Sequence, residues 1–286
     1  MIPRSSPQEE REFFVLAEGI KYVYEGAVEA LGGVDLRIRK GEYIAIVGGN
    51  GSGKTTLAKN LNGLLRPSSG RVEIAGRNAA GMTVAELAKF VGYAFQNPDH
   101  QLFSSTVREE VRFGPKSLGY PDPEVTRKVE HALEVMDLQS VTDSPPLTLS
   151  LSYRRRVSIA SVIAMDPQVI ILDEPTTGLD AKDTDLLMQN IDALNREGHT
   201  LILITHDMRL VAEHAKRVLV MAAGKILLDS DPRGSFSDLD LIRQSNLEPP
   251  PVTQLAHRLS RFDIPSDIFS PEELASAIAQ KIRGGR

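Results

Sequence analysis

Cysteine does not occur among the 286 residues. Its absence excludes a disulfide framework, a thiolate metal site and thiol chemistry, and it suits a reducing compartment such as the cytosol. A basic excess is missing too. The formal charge is −5, so no global field draws the chain to DNA or RNA and no nucleic-acid partner is expected. No apolar run approaches the ~18 residues that a membrane-crossing helix requires. Arg4, Glu9, Glu10, Arg11 and Glu12 interrupt the N-terminus where the apolar core of a signal peptide would lie. The expectation is a chain that does not cross a membrane by itself, yet is able to dock to something that does. What is present, 41% hydrophobic and 25% charged residues, matches an ordinary globular protein. The length allows one large domain with an appendage, or two domains.

Residues 1–12 are polar and read as frayed. From Phe13 to about Asn78, short apolar runs alternate with turn signals: FFVLAEGIKYVY, GVDLRI, YIAIVGG and GRVEIAG. These predict strands. One helix interrupts them after Lys54, with Leu57, Leu61 and Leu64 on one face. Residues 97–165 carry six prolines between helical patterns, the clearest of which is EVTRKVEHALEVMDL, and read as a helical insertion. Alternation then resumes with VIILD, DTDLLMQNIDALNREG, TLILITH, LVAEHA and RVLVMAAGKILL. That pattern predicts a parallel sheet covered on both faces. After Asp231 the character changes to a small helical tail. VTQLAHRL spaces Val252, Leu255, Ala256 and Leu259 as on a helix, and SPEELASAIAQKI opens with Ser270 as N-cap, Pro271 at the first helical position and Glu273 closing a capping box.

The segment YIAIVGGNGSGKTTLAKNL holds G-x-x-x-x-G-K-[ST] from Gly48 to Thr55, with an apolar strand before it and an amphipathic helix after it. Glycines let the backbone fold around an anion, and the helix aims its positive end at the same point. The candidate nucleotide-binding residues are Gly48, Gly49, Asn50, Gly51, Ser52, Gly53, Lys54, Thr55 and Thr56. Lys54 would reach the β- and γ-phosphates of a nucleotide, and Thr55 would hold Mg²⁺. In VIILDEP, Val169 to Leu172 read as a buried strand that delivers Asp173 and Glu174 at its C-terminal end, where open α/β sheets place ligands. Asp173 is the candidate metal ligand, and Glu174 the group that orients or deprotonates an attacking water. The stretch PPLTLSLSYRRRVSIASVIA poses a separate question. Its three arginines, Arg154 to Arg156, fit a nucleic-acid patch, a solvated face or a phosphate-facing loop.

Together these motifs resemble those of ATP-binding-cassette ATPases, over about Ile20 to Leu228. The resemblance implies roles for several further residues. Gln96, in YAFQNP, would sense the γ-phosphate and Mg²⁺. Asp180 would end a loop that crosses a dimer interface, in TTGLD. His206 would be the switch histidine, in LITHD. Tyr24 stands where the family stacks an aromatic ring on adenine. LSLSY occupies the place of the L-S-G-G-Q signature, whose serine and glycine amides cap the γ-phosphate held by the other subunit. Ser150 matches, whereas Leu151, Ser152 and Tyr153 depart, and their added side chains are expected to hinder a close approach to phosphate. The arginines then simply continue the signature helix.

QNPDHQLFSSTVREEVRFGPKSLG and LEPPPVTQLAHRL narrow the resemblance to the ATPase subunits of energy-coupling-factor importers. It implies an α/β fold: a phosphate-loop core with a mostly parallel sheet, an antiparallel β subdomain, a helical insertion and a small C-terminal helical tail. The nucleotide-binding unit would cover 13–230, with the insertion at about 97–165, and 231–286 would be a dimerisation tail. The partners implied are a second cassette ATPase, an integral-membrane coupling protein and a small substrate-binding membrane protein. A heterodimer is favoured, because a homodimer would carry the altered signature twice. Asp99, Glu109 and Glu110 are expected to face basic residues of the coupling protein. The implied location is peripheral, on the cytoplasmic face of the cell membrane. The rival readings are a soluble cassette ATPase and a low-turnover nucleotide-binding scaffold.

Overall fold

The computed structural model describes residues 13–237, 242, 245 and 247–284. The expected frayed start at 1–12 lies outside the described residues. Two long strands come first, β1 (Val15–Tyr24) and β2 (Val28–Ile38). β3 (Tyr43–Val47) leads through the glycine-rich loop into α1 (Lys54–Leu61). β4 (Ser69–Ile74) and the two-residue β5 (Arg77–Asn78) precede the short α2 (Val84–Ala88) and β6 (Val91–Ala94). Three helices follow, α3 (Val107–Ser117), α4 (Asp122–Val135) and α5 (Leu151–Ile163). Then come β7 (Val169–Asp173), α6 (Ala181–Arg196), β8 (Thr200–Ile204), α7 (Met208–His214), β9 (Arg217–Ala222) and β10 (Lys225–Ser230). The tail holds α8 (Pro232–Ser237), α9 (Pro251–Leu259) and α10 (Pro271–Gly284).

One sheet has six strands in the order β10-β9-β3-β8-β7-β6; every neighbouring pair is parallel except β10 with β9. The other has four antiparallel strands in the order β2-β1-β4-β5. The predicted α/β architecture, with its antiparallel subdomain, helical insertion and helical tail, is therefore the observed one. The pleat divides each central strand between two cores. Val169 and Ile171 of β7, with Ile202 and Ile204 of β8, join the core shared with α1 and the antiparallel sheet. Ile170, Leu172, Leu201 and Leu203 join the core shared with α3 to α6. Continuous β-branched and leucine runs suit strands buried on both faces. Because β3 and β7 are parallel and flank β8, the loop after β3 and the acids after β7 emerge at one edge of the sheet.

The tail is stitched by its own small core of Ala256, Ile264, Ile268 and Leu274. Its capping box is half formed. Ser270 Oγ accepts from the Glu273 amide at 3.1 Å, but the Glu273 carboxylate turns to Arg233 instead.

Candidate active site

Gly48 and Gly53 explain why the phosphate loop needs glycine. A Cβ on Gly48 would lie 2.2 Å from the carbonyl oxygen of Met221. Gly53, the N-cap of α1, has φ 104°, and a Cβ there would meet the Ala30 carbonyl at 2.7 Å. No side chain caps α1, so its first amides point to open space beside the loop. Lys54 Nζ donates to the carbonyl oxygens of Gly48 (2.7 Å) and Gly49 (3.0 Å) and so braces the loop it starts from. Burial pushes the Lys54 ammonium below its usual pKa, against the opposing pull of Glu174 and Asp173. The Gly49 amide donates away from the loop, to the Ser245 carbonyl at 2.8 Å.

A cavity of about 320 Å³ opens here, lined by Tyr24, Asn50 to Thr56, Gln96, Asp173 and Glu174. Most of the expected binding residues thus converge. Gly48 and Gly49 sit behind the loop as acceptors for Lys54. Tyr24 stands 41% exposed at the rim, edge-on to Tyr22 with ring centroids 4.8 Å apart, and its hydroxyl reaches Thr56 Oγ1 at 3.1 Å. Thr55 Oγ1 donates to Asp173 Oδ2 at 3.1 Å. This hydroxyl and carboxylate are hard oxygen donors of the kind Mg²⁺ takes beside phosphates, so the residues present fit that ion.

Glu174 follows at φ 49°, a left-handed conformation costly for a residue with a Cβ. It turns the carboxylate back over the cavity mouth. Glu174 Oε1 and His206 Nδ1 lie 2.9 Å apart, and Thr177 Oγ1 donates to Glu174 Oε2 at 3.3 Å. His206, although absent from the cavity wall, is thereby brought to the site. Ser150 and Asp180 are not: each caps a helix, Ser150 Oγ accepting from the Tyr153 amide (3.5 Å) and Asp180 Oδ1 from the Asp183 amide (2.8 Å).

Tyr93 is a candidate site residue that the motif reading passed over. Its buried hydroxyl donates to Asp173 Oδ2 at 2.6 Å. Burial first, then the Asp173 charge, pushes the phenol pKa up, so it stays protonated and keeps donating. The signal was a tyrosine two residues before the loop of Gln96, at the end of a strand adjacent to β7. Tyr93→Phe is expected to raise the Mg²⁺ concentration needed for half-maximal ATP hydrolysis by roughly 10-fold, as for loss of a group that orients a metal ligand. A Mg²⁺ titration that superimposes on wild type would show that Asp173 needs no such support.

The arginine triplet has a structural answer. Arg155 and Arg156 are buried, so a solvated or nucleic-acid face is ruled out for both. Arg156 donates to the carbonyls of Met136 (3.2 Å) and Asp137 (3.0 Å), while Arg154 pairs with Asp99 at 3.3 Å. Glu110 requires a correction. It is buried and accepts from the Phe103 and Ser104 amides at 2.9 and 2.7 Å, so it braces the start of α3 from within rather than facing a partner. The signature segment also differs from expectation. Ser152 is buried, the Leu151 methyl lies where a Cβ on Gly178 would come within 3.0 Å, and Tyr153 packs under the Arg156 guanidinium at 4.3 Å.

Fold and cavity define a phosphate-loop nucleotide-binding protein. A model of the ABC transporter family matches residues 31–177, and the chain belongs to that family. An ABC transporter ATP-binding protein of Caldanaerobacter subterraneus is 43% identical over 265 residues, 93% of this chain but 46% of that protein. The energy-coupling factor transporter ATP-binding protein EcfA1 of the same organism is 40% identical over 276 residues, 94% of this chain and 99% of its own length. The solved structure of CbiO1 from Clostridium perfringens, part of the ABC transporter complex CbiONQ, is similar with a TM-score of 0.74 and 35% identity, covering 87% of this chain and 99% of that one. The chain spans about half the length of the first curated relatives it matches.

Proposed function

We propose that the chain binds and hydrolyses ATP to power import of a small solute, a vitamin or a transition-metal ion, through a membrane energy-coupling-factor transporter. The observation that carries this reading is the convergence of Lys54, Thr55, Asp173 and Glu174 on one cavity, with His206 on Glu174. Thr55 and Asp173 would hold Mg²⁺, which would supply positive charge beside the phosphoryl group. Lys54 adds charge at the same place, and Glu174 takes the proton of the attacking water. That intact set weighs against a low-turnover scaffold.

A second cassette, on another chain or the same one, completes the proposed unit. Relatives about twice as long as this chain leave room for one. Ser150 and Asp180, remote from the chain's own cavity, would then serve the facing one. The tail would help hold the pair: Leu255, Phe262 and Ile282 stand exposed on it. We favour an asymmetric pair, because the altered signature would then occur once.

Among the described residues no helix is long and apolar enough to cross a membrane; the reading assigns the membrane component to a partner. Its proposed seat is beside the Gln96 loop. Phe103 and Phe113 are 64% and 52% exposed there, edge to face with centroids 4.9 Å apart, and exposed aromatics of this kind mark interaction sites. Asp99 and Glu109 lie nearby in the chain, Asp99 already engaged by Arg154. The test is a pull-down from detergent-solubilised membranes. The wild-type chain should recover integral-membrane proteins, and the double change Phe103→Ser and Phe113→Ser should lose them while keeping ATP affinity. Recovery of soluble partners alone would favour a soluble cassette ATPase.

A further inference from the structure

Arg155 sits on the second turn of α5 and is only 5% exposed. Its guanidinium donates one way to the Gln96 carbonyl and the other way, at 3.0 Å, to the Thr177 carbonyl. Gln96 belongs to the loop after β6, and Thr177 to the loop that also fastens Glu174. Among the described residues no carboxylate pairs with Arg155 directly, and its Nε–H is buried without a partner. Burial pulls its pKa down, while Glu174, Asp173 and Asp99 act on it from a distance in the opposite sense. A cation buried this way is expensive, and an apolar side chain would serve a purely packed helix better. What the planar fork supplies is two donors held in fixed directions toward two loops.

The same helix grips the first loop at its far end. Gln101 donates to the Ser158 carbonyl (2.8 Å) and to Ser161 Oγ (2.9 Å), and it accepts from the Phe95 amide (3.3 Å) and Ser158 Oγ (2.7 Å). The segment from Phe95 to Gln101 is therefore clamped to α5 at both ends, and Arg155 carries a hydrogen bond onward to Thr177.

We propose that Arg155 is a positioning residue that joins the Gln96 loop to the loop after Glu174, so that both are set together for hydrolysis. It touches neither the cavity nor the nucleotide, and this role rests on the ATPase reading above. A displacement of the Gln96 loop, whatever drives it, would be passed through the guanidinium to Thr177 and from Thr177 Oγ1 to Glu174. Arg156 is the internal control: equally buried and adjacent, it holds the end of α4 and no loop of the site.

The experiment compares Arg155→Gln, Arg155→Lys and Arg156→Gln in the full chain paired with its second cassette, with ATP and Mg²⁺, by steady-state hydrolysis, melting temperature and amide hydrogen exchange. Arg155→Gln is expected to speed exchange in both loops and to lower kcat by roughly 10–100-fold, the scale of a small misplacement of reacting groups, with KM within about twofold of wild type because the cavity wall is untouched. Arg155→Lys, which reaches one carbonyl at a time, should recover part of kcat. Arg156→Gln should lower the melting temperature and spare kcat. The proposal is overturned by a wild-type kcat in folded Arg155→Gln, or by an equal loss in Arg156→Gln at the same folded fraction. If Arg155→Gln does not fold, wild-type kcat in Arg155→Lys overturns it and a reduced kcat at unchanged KM supports it. A wild-type chain that shows no turnover even when paired with its second cassette sinks the ATPase reading instead, a result that the exchange data tell apart from failure of the link itself.

Discussion

Lys54→Ala is expected to weaken ATP binding by roughly 10–150-fold, corresponding to the ~1.5–3 kcal/mol of a charge-assisted contact. Two losses combine. The ammonium no longer meets phosphate, and the bonds from Nζ to the Gly48 and Gly49 carbonyls disappear, which releases the brace across the loop. Its half-buried position leaves the charge less screened than that of a surface lysine, partly offset by Glu174 and Asp173. Lys54→Arg keeps the charge but not the compact shape, and should bind between alanine and wild type. Titration with a non-hydrolysable ATP analogue measures both. An alanine variant of unchanged affinity would remove the phosphate loop from the nucleotide site.

Features written in contiguous residues were readable from the chain. The phosphate loop is eight consecutive positions, in which a Cβ on Gly48 or Gly53 would meet backbone at 2.2 and 2.7 Å, and the acids after VIILD follow from where a buried strand ends. Contacts set by strand order were not. Tyr93 reaches Asp173 across 80 residues, and only the β6–β7 pairing puts them side by side. The contacts of Arg155 were hidden for a different reason. Ten of the thirteen residues of α5 are buried, so the helix has almost no polar face, and a charged residue there has to find backbone carbonyls inside. Glu110 shows the same trap: an acid in a helix's first turn reads as facing outward to a partner until two amides of the preceding loop are found pointing at it. β2 begins five residues before the GVDLRI run, because edge pairing with β1 tolerates the glycines that weakened the pattern.

Glu174→Gln should keep ATP affinity and cut turnover by roughly 10²–10⁴-fold, the range for removing a general base. The amide preserves volume, but it leaves one oxygen where the carboxylate offers two, to His206 at 2.9 Å and Thr177 at 3.3 Å. Its strained backbone at φ 49° persists only because the surrounding loop holds it, so the geometry survives while the basicity is lost. In an asymmetric pair the consequence extends further. This chain's cavity would be completed by the partner's signature, and the partner's cavity by the LSLSY segment. Glu174→Gln here should then remove most of the turnover, and the equivalent partner change should remove less. Replacing Leu151 and Ser152 with Gly and Tyr153 with Gln should raise activity at the weaker cavity. It should also lower the melting temperature, since Ser152 is buried and Tyr153 packs beneath Arg156. A gain in rate alongside a loss in stability separates the two roles of these side chains. Equal losses from the two glutamate variants, with no gain from the triple replacement, would mean that Leu151, turned against Gly178, leaves the helix amides open to phosphate and that both cavities work alike.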